Sequence, residues 1–170
     1  YIELNRRFQP GEKLEAMKGS LLHEDALDVF REDSEDPQSA PITPYKHQSL
    51  AIKKVLGDNR NLVVATGTGS GKSFCFGIPI ISRCLQMRDQ GIEGVKAVII
   101  YPMNALANSQ YDEFATRLRG TGLKIGLYTG DTAYDRDKAE ARHEDEFGRE
   151  PYESELITRK EIQEKHPDIL

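Results

Sequence analysis

Cysteine is scarce in this chain. Cys75 and Cys84 are the two present among 170 residues, and their spacing fits no zinc pattern. Nothing in so sparse a set points to an oxidising compartment, so both are expected to be reduced core residues of a cytoplasmic protein. Long apolar runs are also missing. None approaches the roughly 18 residues of a membrane span, which excludes a helical membrane anchor within the sequence. The start, Tyr1-Ile2-Glu3-Leu4, lacks the basic and apolar regions of a secretory signal, and it lacks an initiating Met. The chain is therefore expected to be a piece of something longer.

An overall basic excess is absent too. Lys plus Arg is 23, Asp plus Glu is 28, and the net charge is −5. Taken whole, that count argues against a phosphate-binding surface. Its distribution argues the other way. Residues 1–40 carry 5 basic and 10 acidic side chains, 41–130 carry 11 and 5, and 131–170 carry 7 and 13. A basic centre lies between two acidic flanks.

The first 41 residues read as an acidic extension and linker. Ser20 is expected to cap a helix bearing Leu22, Ala26, Val29 and Phe30 at helical spacing, and 31–41 reads as solvated linker. From residue 42 the pattern is α/β. A helix is expected from Pro44 to about Leu56, then a buried strand at 61–65 (NLVVA). A helix over 71–88 follows, kinked early by Pro79. Next come a buried strand at 95–101, a helix over 104–118 and a strand at 123–128. A charged helix over 132–147 precedes a short one opened by the capping box Thr158…Glu161. Asp168-Ile169-Leu170 reads as the beginning of a further strand. Alternating strands and helices imply a parallel sheet.

The strongest chemical signal is Thr66-Gly67-Thr68-Gly69-Ser70-Gly71-Lys72-Ser73, between an apolar run and a helix. The glycines let backbone N–H groups converge on phosphate oxygens. The following helix adds the positive end of its dipole. Lys72 suits the β- and γ-phosphates of ATP, and the Ser73 hydroxyl suits Mg²⁺. The competing reading is a glycine-rich turn that binds nothing. Thr66 departs from the usual phosphate loop, which has glycine there.

Three further segments stand in a set order around that loop. Tyr45-Lys46-His47-Gln48 places an aromatic beside an amide, and an amide can both donate to and accept from an adenine edge. Tyr101 to Gln110 puts Pro102, Met103 and Asn104 where a strand gives way to a helix, a place for phosphate contact. Tyr128-Thr129-Gly130-Asp131-Thr132 is followed by Arg136; Asp131 could cap the next helix, while Thr132 or Arg136 could touch phosphate. Each has a bland alternative: a surface glutamine, a helix start, and a capped turn; Leu106 is expected in the core in either case.

Together these segments resemble motif I, the Q motif, motif Ia and a Gly-Asp-Thr segment of superfamily-two DEAD/DEAH-box-like helicases. The branch is similar to DNA-repair helicases and to bacterial anti-phage helicases of the DISARM type. The resemblance covers about residues 42–170, with Met103 where the family has Thr. It implies a RecA-like P-loop domain, with ATP and Mg²⁺ as cofactors and nucleic acid, DNA before RNA, as partner. It also implies a second RecA-like domain of the parent chain, and defence or repair proteins as further partners. Such motors need an Asp-Glu pair at the end of a later strand. His143-Glu144-Asp145-Glu146 follows no apolar strand and reads as a solvated face. The chain is thus expected to be an N-terminal part of the motor domain, inactive alone. The alternatives are a P-loop kinase or another small NTPase, and a non-catalytic docking module.

Overall fold

A computed structural model describes residues 8–34, 36 and 38–170. Tyr1 to Leu4, and Glu35 and Pro37 of the expected linker, lie outside the described residues. The chain divides into two compact units, Tyr1–Arg83 and Cys84–Leu170.

In the first unit, a 3-10 turn at Leu14–Met17 precedes α1 (Ala26–Val29), α2 (Lys46–Ile52) and the start of α3 (Lys72–Asp89). The helix expected from Ser20 is shortened to α1. The Ser20 hydroxyl donates to Met17 O at 3.2 Å instead of capping a helix, so the turn holds the residue that was to open one. Leu22, Ala26, Val29 and Phe30 are nonetheless buried, as are Leu14 and Met17. Phe30 meets Phe74 edge to face at 5.9 Å. The described residues between 31 and 41 are exposed or half-buried, and an antiparallel bridge joins Arg31 to Pro41.

α2 begins later than Pro44. Tyr45 is its N-cap, and Gln48 reaches back in a capping box. Pro44 is buried ahead of the cap, with Gly11 N–H donating to its carbonyl at 2.8 Å. A wider π turn, Lys53–Gly57, replaces the last expected turns. Residues 61–65 form no strand. Val63 is 96% exposed, and none of the described residues supplies a ladder partner. An apolar run becomes a buried strand only when neighbours satisfy its backbone and cover its faces.

The second unit holds a parallel sheet. β1 (Ile125–Gly126) pairs with β2 (Glu155–Leu156), Ile125 opposite Glu155. Parallel bridges join Ile125 to Ile169 and Ile169 to Ala97. The order across these pairings is therefore 97, 169, 125, 155; of the strands expected at 95–101, 123–128 and 168–170, a strand forms at Ile125–Gly126, and the other two segments pair through single bridges. Leu170 N–H donates to Ala97 O at 3.0 Å, and Ile99 N–H to Leu170 O at 2.7 Å. The segment 95–101, expected to be a buried strand, is at most half-buried, at Lys96, Ala97, Ile99 and Tyr101. Val98 is 61% and Ile100 87% exposed, because none of the described residues covers that face.

α4 (Asn104–Arg117) buries Ala107, Tyr111, Phe114 and Ala115. Leu106, expected in the core, is exposed; it lies off that stripe. α5 (Arg136–Phe147) starts at an Asp135 cap whose carboxylate accepts from Lys138 N–H, not at Asp131. Asp131 precedes the cap by one turn, too early for its side chain to reach the first free N–H groups. α5 ends on Gly148, whose left-handed φ of 66° suits glycine. α6 (Arg159–Lys165) opens with the Thr158…Glu161 capping box. No helix among the described residues is long and apolar enough to cross a membrane.

Candidate functional site

The phosphate loop lies in the first unit, directly ahead of α3. Gly69 and Gly71 adopt φ of 73° and 70°, the left-handed region that admits glycine at little cost. The loop is closed on itself. Lys72 Nζ donates to Thr66 O at 2.9 Å and to Gly67 O at 2.7 Å. The Thr66 and Ser70 hydroxyls meet at 2.6 Å, so the residue that departs from the usual glycine spans the loop. Ser70 is fully buried, while Gly67, Thr68 and Gly69 are exposed and Ser73 is half-buried. An ammonium held by two loop carbonyls, with exposed N–H-bearing glycines beside it, fits a polyphosphate. Phosphate oxygens can replace Thr66 O and Gly67 O as acceptors for Lys72.

α2 grips the same loop. The Gln48 carbonyl oxygen accepts from Tyr45 N–H at 2.6 Å, and its amide nitrogen donates to Gly71 O at 2.8 Å. Gln48 is buried, with both polar ends engaged inside the protein. A Cβ on Gly71 would stand 2.5 Å from Gln48 Nε2. His47, next to Gln48, also reaches the loop. Its Nε2–H donates to Ser70 O at 3.0 Å, which makes it a second clamp on the loop. The signal was available, since His47 adjoins Gln48 on the same helical turn. Tyr45 is exposed, with the Phe8 ring 5.3 Å away and the His47 ring stacked at 5.9 Å.

In the second unit, Pro102, Met103 and Asn104 are exposed at the start of α4, Met103 being its N-cap residue. Gly130, Asp131 and Arg136 are exposed as well. The Thr132 hydroxyl is engaged within the turn, donating to Leu127 O at 2.9 Å and accepting from Thr129 N–H at 2.8 Å. Arg136 pairs with Glu140 at 2.6 Å and Glu161 at 2.9 Å. The fold brings the two segments to one cavity of about 60 Å³, lined by Asn104, Asn108, Thr129, Thr132, Arg142 and Glu146.

Two groups behind this cavity were not legible in advance. Arg159 donates to Thr132 O at 2.7 Å, Thr129 O at 2.9 Å and Gly130 O at 2.8 Å, so one guanidinium fixes the whole Gly-Asp-Thr turn. The other is Glu155, whose side chain is fully buried. It accepts from His143 Nε2 at 2.9 Å, Arg149 at 2.7 Å and Tyr152 N–H at 2.6 Å. Burial alone would raise the Glu155 pKa, but these donors outweigh it and bring it down to about 2. His143 is thus buried in a polar network, and only Glu144, Asp145 and Glu146 form the solvated face expected for all four. A carboxylate with these donors draws His143 inward.

A family model described as DEAD/DEAH box helicase matches residues 45–148. The chain belongs to that family. Its fold is accordingly of the RecA-like α/β class. Among curated relatives it is 34% identical to Druantia protein DruE of Escherichia coli (strain UMEA 4076-1), over 85% of this chain and 9% of that protein. It is 34% identical to the probable ATP-dependent DNA helicase HFM1 of Xenopus tropicalis, over 66% of this chain and 8% of that one. It is 34% identical to the ATP-dependent DNA helicase Hel308 of Methanocella arvoryzae, over 51% and 11%. The chain spans about a tenth of the length of these relatives. No solved structure matches it.

Proposed function

We propose that residues 42–170 are the N-terminal part of the first RecA-like motor domain of an ATP-dependent DNA helicase or translocase. Residues 1–41 are its acidic extension. The observation that carries this reading is the glycine loop centred on Lys72 ahead of α3. Lys72 holds the β- and γ-phosphates, the N–H groups of Gly67 to Gly71 cradle the chain of phosphates, and Ser73 holds Mg²⁺. Bound ATP supplies the free energy of the motor. Tyr45 and Gln48 serve the base, and Gln48 must exchange its internal partners to do so.

Pro102, Met103, Asn104, Gly130, Asp131, Thr132 and Arg136 form the nucleic-acid face. Two relatives named as DNA helicases favour DNA as the track. A cytoplasmic role in phage defence or DNA repair follows from the branch the motifs resemble. The described residues offer Lys72 and Ser73 for binding ATP and Mg²⁺ but no Asp-Glu pair at a strand end to activate water, so ATP binding without hydrolysis is the expectation for these 170 residues. The test is ATPase activity of the longer protein with and without DNA. Stimulation by DNA, lost in Lys72→Ala, is expected. A protein containing both domains with no DNA-stimulated ATPase contradicts the proposal, and so does ATPase from the 170-residue chain abolished by Lys72→Ala.

A further inference from the structure

Tyr128 and Tyr134 bracket the Gly-Asp-Thr turn, and both rings reach solvent. Tyr128 is 44% and Tyr134 65% exposed. The Arg159 guanidinium lies over both, 5.0 Å from the Tyr128 centroid and 5.5 Å from that of Tyr134. Cations at such distances are held by the ring faces. Arg159 is itself immobilised by Thr129 O, Gly130 O and Thr132 O. The Tyr128 hydroxyl faces Arg159 at 3.4 Å and Gln163 at 3.5 Å. The result is two tyrosines fixed by one pinned cation, each with one face taken and ring surface left in solvent.

We infer that this pair is a stacking platform for bases of single-stranded nucleic acid, with Tyr134 as its principal ring. The inference rests on the reading that Thr132 and Arg136 face nucleic acid, and it adds base contact to that backbone contact. Three features favour a base over other partners. A flat aromatic face accepts any base without reading its edge. Rings held by Arg159 lose little freedom when a base arrives. The nearby charges cancel, since Arg136 is paired with Glu140 and Glu161 and Arg142 lies 3.5 Å from Asp131. Affinity at this spot must then come from stacking more than from charge.

The test is fluorescence anisotropy on the full chain, using a labelled single-stranded DNA and the same strand carrying consecutive abasic sites. Tyr134→Ala is expected to weaken binding of the intact strand by about 5- to 100-fold, and Tyr134→Phe to keep it. Removing the bases should weaken the wild type by a similar factor, with no further loss in Tyr134→Ala. The platform is overturned if Tyr134→Ala binds the intact strand as tightly as the wild type, or loses equally on both strands. Arg136→Ala separates the two readings. If it weakens binding while Tyr134→Ala does not, the nucleic-acid face stands and the platform falls. If the wild type binds neither strand, both fall.

Discussion

Neutralising Glu155 tests how the second unit is held together. Glu155 sits in β2 opposite Ile125 of β1, beneath the segment that leads to the Gly-Asp-Thr turn. An ordinary glutamate titrates near 4.5, and this one is brought down to about 2. That difference is worth about 3 kcal/mol of folding stability. The sign follows from linkage. A carboxylate depressed in the folded state contributes its full stability above pH 4.5 and loses it as the pH falls from there toward 2. Arg149 lies on the other side of the pair. Burial works against its charge, but Glu155 and Asp112 outweigh this and raise its pKa. Glu155→Gln keeps the shape and removes the charge. Arg149 retains Asp112 at 2.7 Å, so the loss stays below that of a wholly stranded cation. The expected cost at pH 7 is about 2–3 kcal/mol, a fall in Tm of roughly 4–12 °C for a chain of this size. Urea titrations followed by circular dichroism at pH 7, 5, 4 and 3 measure it. The gap between wild type and variant should be constant from pH 7 to 5 and narrow below 4.5. An unchanged midpoint at pH 7, or a gap that does not narrow in acid, refutes the reasoning.

Other perturbations have equally definite outcomes. Burial, followed by the charge of Asp168, pushes the Cys84 thiol up to about 12, and burial also raises Cys75. A thiol reagent at pH 8 should therefore leave both unmodified in the folded chain and label both in urea; rapid native labelling contradicts their burial. Gly71→Ala places a Cβ at φ 70° against Gln48 Nε2 and should cost about 2 kcal/mol by urea denaturation, while weakening nucleotide binding. A stability equal to wild type would mean that Gln48 does not clamp the loop. Asp135→Ala should cost about 1 kcal/mol as a lost cap, and Asp131→Ala, an exposed partner of Arg142, far less. The reverse ranking would return the cap to Asp131.

Local signals were legible where one stretch of sequence carries its own partner. Thr158 and Glu161 form the capping box they spell, and α3 and α4 run within a residue or so of their apolar patterns. The glycine loop ahead of α3 was readable for the same reason, because its glycines, lysine and serine are contiguous. Errors arose where burial depends on distant chain. The NLVVA run has the composition of a core strand, yet a ladder partner is not written in those five residues. Leu106 matches a motif position but falls on the solvent side of α4. Asp131 was expected to cap α5, but the backbone first becomes helical at Arg136, which makes Asp135 the cap. Arg159 grips a turn 27 to 30 residues away, and Glu155 gathers donors from α5 and from the loop that follows it. Such convergence leaves no periodicity behind.

The central claim is that the loop around Lys72 binds the phosphates of ATP with Mg²⁺. Titrating the 170-residue chain and its Lys72→Ala variant with a fluorescent ATP analogue, with and without Mg²⁺, tests it most directly. Saturable, Mg²⁺-dependent binding that weakens by about 10- to 100-fold in Lys72→Ala is the predicted result. Equal affinity in the two proteins, or no binding by the wild type, would contradict it.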